Sequence, residues 1–171
     1  MPVRRYSGKS PRLGQGVFIA ETAMVIGDSE IGDGSSIWYG AVVRGDQMPI
    51  RIGRHTSIQD NTVVHVTSDV AGTIVGDYVT VGHNVTLHAC TVEDDCIIGM
   101  GSIVLDRSVI GRGSIVGAGA LVTPGTIVPP GSMVLGAPAR VKRPVTEEER
   151  AWIASSAQHY VELTRRYLAG N

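Results

Sequence analysis

From Val92 to Val134 the chain reads VEDDCI, IGMGSI, VLDRSV, IGRGSI, VGAGAL, VTPGTI, VPPGSM and then V. An aliphatic residue falls on every sixth position. Four places after each comes a small one: Cys96, Ser102, Ser108, Ser114, Ala120, Thr126 and Ser132. No 3.6-residue period runs through this stretch, so it is not helix, and simple two-residue alternation does not fit either. A six-residue unit has room for one short strand and one corner, and it cannot bury its apolar side without a stacked neighbour. The stretch therefore predicts a parallel β-helix whose coils lie about 4.8 Å apart.

Upstream, the aliphatic position falls at Ile19, Val25, Ile31, Ile37 and Val43, then at Ile52, Ile58 and Val64, then at Val75, Val81 and Leu87. Units of this kind resemble the hexapeptide-repeat proteins. That resemblance, and not the spacing, implies a three-sided prism with left-handed winding. The expected fold is thus all-β, a left-handed parallel β-helix over residues 1–143 with a short N-terminal lead-in. Val and Ile are expected to fill the prism, and Gly to take its tight corners. After Pro144 the pattern changes. Thr146-Glu147-Glu148-Glu149 matches a capping box, with Thr146 as N-cap and Glu149 three residues on. Ile153, Ala157, Tyr160, Val161, Thr164, Tyr167 and Leu168 form a stripe at helical spacing, and Gly170 is a stop. Residues 144–171 are expected to form a helix along one face of the prism.

Composition agrees with a chain that turns often and holds a narrow core: 22 glycines stand beside a single phenylalanine. With a formal net charge of −1, nucleic acid or an anionic membrane is not the expected partner. No apolar run has the length of a transmembrane helix, and Met1 to Tyr6 lack the apolar core of a signal peptide. A cytoplasmic location with Cys90 and Cys96 as free, buried thiols is the expectation.

Three units per coil divide the repeats into three faces. Ile37, Ile58 and Val81 open units on face C, Val43, Val64 and Leu87 on face A, and Ile31, Ile52 and Val75 on face B. In this middle region the period breaks three times, always after a face A unit: three extra residues before Ile52, five before Val75, and one missing before Val92. Departures gathered at one corner of a rigid scaffold point to function there. The second position of the face A units reads Arg44, His65, His88, so the two histidines lie one coil apart and within reach of one ion. His83 stands at the third position of a face C unit, in a column with Tyr39 and Asp60. A face is roughly 15 Å wide, whereas Zn–N bonds are about 2.0–2.1 Å. Either there is no three-histidine site, or the face C edge of one subunit meets the face A edge of another, in a heterologous ring contact that suits a trimer. Arg44, Asp46 and Asp60 would then be available to pair across the junction. His55 and His159 read as ordinary hydrogen-bonded residues.

Arg44-Gly45-Asp46, Gln59-Asp60-Asn61 followed by His65, and Gly82-His83 with His88 five residues on resemble the γ-class carbonic anhydrase family. Ile98-Gly99-Met100-Gly101 and Gly136-Ala137-Pro138-Ala139 are similar to its later segments. The resemblance covers residues 6 to 165. It implies a homotrimer binding zinc, with iron or cobalt as alternatives. His65 and His88 would come from one subunit and His83 from its neighbour, and the reaction would be reversible hydration of CO2 to bicarbonate. It also implies interface pairs at Arg44, Asp46 and Asp60, a hydrogen bond from Gln59 to the metal-bound hydroxide, and a helix tyrosine, Tyr160, leaning toward the site. Tyr160 fits the core stripe equally well.

The chain departs from that family in its loops. Gln47-Met48-Pro49 holds no acid to move protons, and the loop Val66 to Thr73 offers only Asp69. Slow or buffer-dependent turnover is expected. Other functions fit the same prism: an acyl-CoA-dependent acyltransferase using one histidine base, a metal-hydroxide thioesterase on a CoA ester, or a catalytically silent trimeric zinc module.

Overall fold

A computed structural model describes residues 2–170. It is a left-handed parallel β-helix of about seven turns, followed by one helix, Glu147–Ala169. The register is the one the repeat dictates. On face A, Val43 pairs with Val64, Val64 with Leu87 and Leu87 with Val104; on face B, Ile31, Ile52, Val75 and Val92 stack in turn. Face C stacks Ile19, Ile37, Ile58, Val81, Ile98, Val116 and Val134. All but the partly buried Ile19 are almost wholly buried and form one continuous core with the small residues at the corners. Each unit supplies little apolar area alone, so cohesion comes from neighbours above and below.

Glycines take tight corners as expected, Gly34, Gly40, Gly101 and Gly113 among them, but those that directly follow the aliphatic residues do not. At Gly32 a Cβ would stand 2.6 Å from the carbonyl carbon of Gly53, so the residue is small because two backbones touch. The left-handed corner falls two residues later, where Gly34, His55, Tyr78, Asp95, Gly113 and Gly131 all have positive φ. Half of that column carries a side chain. His55 uses the position to stack on Tyr78, ring centroids 5.0 Å apart, and its Nδ1 is buried without a hydrogen-bond partner.

The three extra residues after face A do not form a separate loop. Val42–Ile52 is one strand of 11 residues that turns the corner from face A to face B, pairing with Met24–Ile31. The excess is absorbed as a bulge between Gly27 and Ser29, where Met48 packs on the core. The longer excess after Val64 does leave the prism, as a turn closed by Thr67 and Ala71.

The helix begins at the predicted box: the Thr146 side chain accepts from the Glu149 N–H, and Glu149 accepts from the Thr146 N–H. Gly170, with φ of 75°, closes it. It lies on face C, against the strands at Phe18–Ile19, Ser36–Ile37, Ser57–Ile58 and Thr80–Val81. Ile153, Ala157, Val161 and Thr164 are buried. Tyr167 and Leu168 remain about half exposed, although Tyr167 meets the rings of Phe18 and Trp38 at 5.1 and 5.0 Å. After Ser132–Leu135 the chain reverses, and Arg140–Pro144 pairs antiparallel with it. Cys90 and Cys96 are free and buried. Among the described residues no helix is long and apolar enough to cross a membrane.

Candidate metal centre

His65 and His88 are in register on adjacent coils, as the ruler requires. Their rings face each other: Nδ1 of His65 lies 3.2 Å from Nε2 of His88. The other nitrogen of each ring meets a carboxylate. Nε2 of His65 is 3.1 Å from Asp46 Oδ1, and Nδ1 of His88 is 2.8 Å from Asp106 Oδ1. An ionised carboxylate only accepts, so in the neutral rings each outer nitrogen carries the hydrogen and each inner one presents its lone pair. Two lone pairs at this separation repel unless a cation or proton lies between them. Two ligands of one tetrahedral zinc, each about 2.0–2.1 Å away, sit roughly 3.3–3.4 Å apart. The donors and their spacing fit that geometry. A carboxylate behind each metal-binding imidazole is the usual means of fixing its tautomer and raising its basicity.

The carboxylates are themselves held. Burial pushes the Asp46 carboxyl up, but bonds from His65 and Arg44 outweigh it and leave it below its ordinary value. Arg44 pairs with Asp46 in the same chain. Asp106 is held down by His88 and then by Thr67, whose hydroxyl donates to Oδ2 at 2.7 Å.

His83 is on the other edge, and the structure does not bring it to His65 and His88. Its Nδ1 stands 2.8 Å from Asp60 Oδ2, so the third imidazole also has a carboxylate behind it. Among the described residues no three His, Cys, Asp or Glu side chains of this single chain group as a complete ligand set. Gln59, only 4% exposed, and Tyr160 line one cavity of about 470 Å3 together with His83. Burial, then the charge of Asp60, raises the Tyr160 phenol above its ordinary value. Arg44 and Asp46 therefore sit with His65 and His88, while Asp60, Gln59 and Tyr160 sit with His83. Asp69 is at the exposed tip of its loop, accepting from Ser68 Oγ at 3.2 Å.

Asp106 and Thr67 escape a reading of the second column alone. Asp106 is at the third position of its unit, one coil past His88, where position two is Leu105. It is the only acid in its repeat, VLDRSV, and reading the third column of face A would have found it.

Fold and ladder together define a hexapeptide-repeat β-helix protein with paired imidazoles at one corner. The family model for the bacterial transferase hexapeptide (six repeats) matches residues 10–45 and 89–124. A carbonic anhydrase of Geobacillus kaustophilus is 47% identical over 164 residues, 96% of this chain and 90% of its own length. The chain belongs to the γ-class carbonic anhydrase-like family of hexapeptide-repeat proteins. Gamma carbonic anhydrase 2 of Arabidopsis thaliana mitochondria is 46% identical over 95% of this chain, but the chain spans only 60% of that relative's length. A solved Bacillus cereus structure, titled as a candidate acetyltransferase, superposes with a TM-score of 0.96 at 40% identity, covering 99% of this chain and 98% of the other.

Proposed function

We propose that the protein is a zinc-dependent carbonic anhydrase, interconverting CO2 and bicarbonate at a site shared between subunits of a homotrimer. His65 and His88 of one subunit and His83 of its neighbour would hold the metal; iron or cobalt would suit the same donors. The observation that carries this reading is the 3.2 Å approach of two imidazole nitrogens, each backed by a carboxylate. Zinc bound by three neutral imidazoles supplies a Lewis acid that brings the pKa of water to about 7.

The chain's own groups have separable tasks. Asp46, Asp106 and Asp60 fix the three rings. Gln59 offers a buried amide to orient CO2 or water at the His83 edge, and Tyr160 closes that edge from the helix. Arg44 is placed to bridge to a neighbour's acid as well as to Asp46. The outward column of face A supports a threefold contact there. It runs Met24, Val42, Val63, Thr86, Ile103 and Leu121, apolar but for one threonine. With this face toward the axis, the edges bearing His83 and the His65–His88 pair meet between subunits.

Proton export is the weak point, since Gln47-Met48-Pro49 is built into a strand and Asp69 points its carboxylate at Ser68. Stopped-flow CO2 hydration on zinc-replete protein, at increasing imidazole, tests the reading. The rate should rise with buffer; no rate above background at any buffer level would end it.

A further inference from the structure

Two ordinary corners between faces A and B close in the same way. The small residue at the fifth position turns its hydroxyl back to the carbonyl of the second, three residues earlier: Ser29 Oγ donates to Ile26 at 2.9 Å, and Ser108 Oγ donates to Leu105. On the coil of His65 five extra residues intervene, yet the bond survives. Thr73 stands eight positions after His65, wholly buried and in register with Ile50, and its hydroxyl donates to the His65 carbonyl. The returning limb is fixed as well, since a Cβ on Gly72 would stand 2.2 Å from the Pro49 carbonyl oxygen. The outgoing limb serves the other imidazole. Val66 enters the core, and the Thr67 hydroxyl stands 2.7 Å from Asp106 Oδ2, the other oxygen of which holds His88. The turn closes on Thr67, whose carbonyl accepts from the N–H groups of Val70 and Ala71 at 3.2 and 3.3 Å.

We propose that the excursion Val66–Thr73 is a two-point clamp on the imidazole pair, with Thr73 a positioning residue for His65 and Thr67 one for His88. Thr73 acts through the His65 peptide, and Thr67 acts through Asp106. An insertion directly after a ligand would otherwise let that ligand's peptide slide along the corner. A shared ion is sensitive to such a slide, because it needs the two facing nitrogens, now 3.2 Å apart, at one separation. Both ends of the loop are therefore pinned beside the rings, while its tip at Asp69 touches neither. The purpose of the clamp depends on the metal-centre reading above; its hold on the rings does not.

The test is zinc affinity by chelator competition, with Tm by calorimetry, on full-length Thr73→Val, Thr73→Ser and Thr67→Val. Ser29→Ala serves as a corner of the same kind that holds no ligand. A direct partner of a metal-binding histidine is typically worth 10–100-fold in affinity. One bond further out, Thr73→Val and Thr67→Val should each weaken zinc by about three- to tenfold, and Thr73→Ser should restore it. Ser29→Ala should lower Tm as Thr73→Val does but leave affinity unchanged, which separates positioning from corner stability. Since Thr67 acts through Asp106, Thr67→Val should cost little more in an Asp106→Asn background, whereas Thr73→Val should multiply with it. Thr67 lies outside the core, so Thr67→Val carries the test should Thr73→Val fail to fold. Wild-type affinity in both valine variants overturns the clamp, and so does an equal loss in Ser29→Ala. Should wild type take up no zinc, the metal reading falls alone, and nitrogen NMR of the metal-free rings decides the clamp. Thr73→Val should then shift the His65 signals and Thr67→Val those of His88; unmoved signals overturn it.

Discussion

Asp106 lies one coil beyond His88 and holds its Nδ1 at 2.8 Å, with the Thr67 hydroxyl bound to the carboxylate's other oxygen. Losing such a partner typically costs 10–100-fold in metal affinity. Asp106→Asn should therefore weaken zinc binding by about that factor, measured by chelator competition, while circular dichroism stays unchanged. Unaltered affinity would remove Asp106 from the site.

A shared site predicts complementation. His83→Ala and His65→Ala chains should each bind little metal alone, since each removes one of three ligands, yet both should fold. Coexpressed, a mixed ring of three has one boundary at which an intact His83 meets an intact His65–His88 pair. About one third of the sites in such rings should then refill with zinc, and hydration should return in proportion. Mixed assemblies with no more metal than either parent would contradict the arrangement.

The paired histidines were legible because the ruler is rigid. Once each coil holds three units, His65 and His88 must stack, and His83 must stand on another edge. The helix was legible from Thr146 and Glu149 for a similar reason, since a capping box is local chemistry. Less was visible where the chain leaves the ruler. Met48 is apolar and can pack inward, so the residues around it stay in a continuous strand instead of looping out. Which glycines take the corners was not legible, because Gly32 and Gly34 look alike in a sequence. Gly32 is kept from carrying a side chain by the neighbouring Gly53 backbone; Gly34 has a positive φ that His55 and Tyr78 show to be tolerable, and a Cβ there would stand 2.5 Å from the His55 ring.

Gly27 should be intolerant for both reasons at once. It has φ of 70°, and a Cβ there would stand 2.3 Å from the Gly45 carbonyl oxygen, beneath Asp46. Gly27→Ala should destabilise the fold by about 1–3 kcal/mol, a fall of several degrees in Tm by calorimetry for a chain of this size.

Glu149 gives the helix an acid sensitivity. The bond from Arg143, then the Thr146 backbone N–H, pulls its carboxyl down to about 2, against an ordinary value near 4.3. A lowered folded value means the stabilisation is complete above the unfolded pKa and is lost as pH falls through the folded one. Between pH 4.5 and 2 the wild-type Tm should drop further than that of Glu149→Gln. Parallel curves would show that the carboxylate adds nothing to docking.

Burial drives both thiols, Cys90 and Cys96, up to about 12. A disulfide reagent at pH 8 should leave native protein unmodified for hours and react with both cysteines in guanidinium. Fast reaction of either in the native state would mean that its corner opens.

The antiparallel return of Arg140–Pro144 over Ser132–Leu135 has a consequence for how copies of the molecule meet. A stack of parallel coils is an open template, and its last rung would accept another molecule end to end, then another. Here that rung is occupied by the chain's own reversed segment, which carries Arg140, Lys142, Arg143 and a proline, none of them hospitable to a further strand. On that face growth along the axis is blocked, while the last strands of the other two faces, Leu121–Val122 and Ile127–Val128, end their sheet without a further strand.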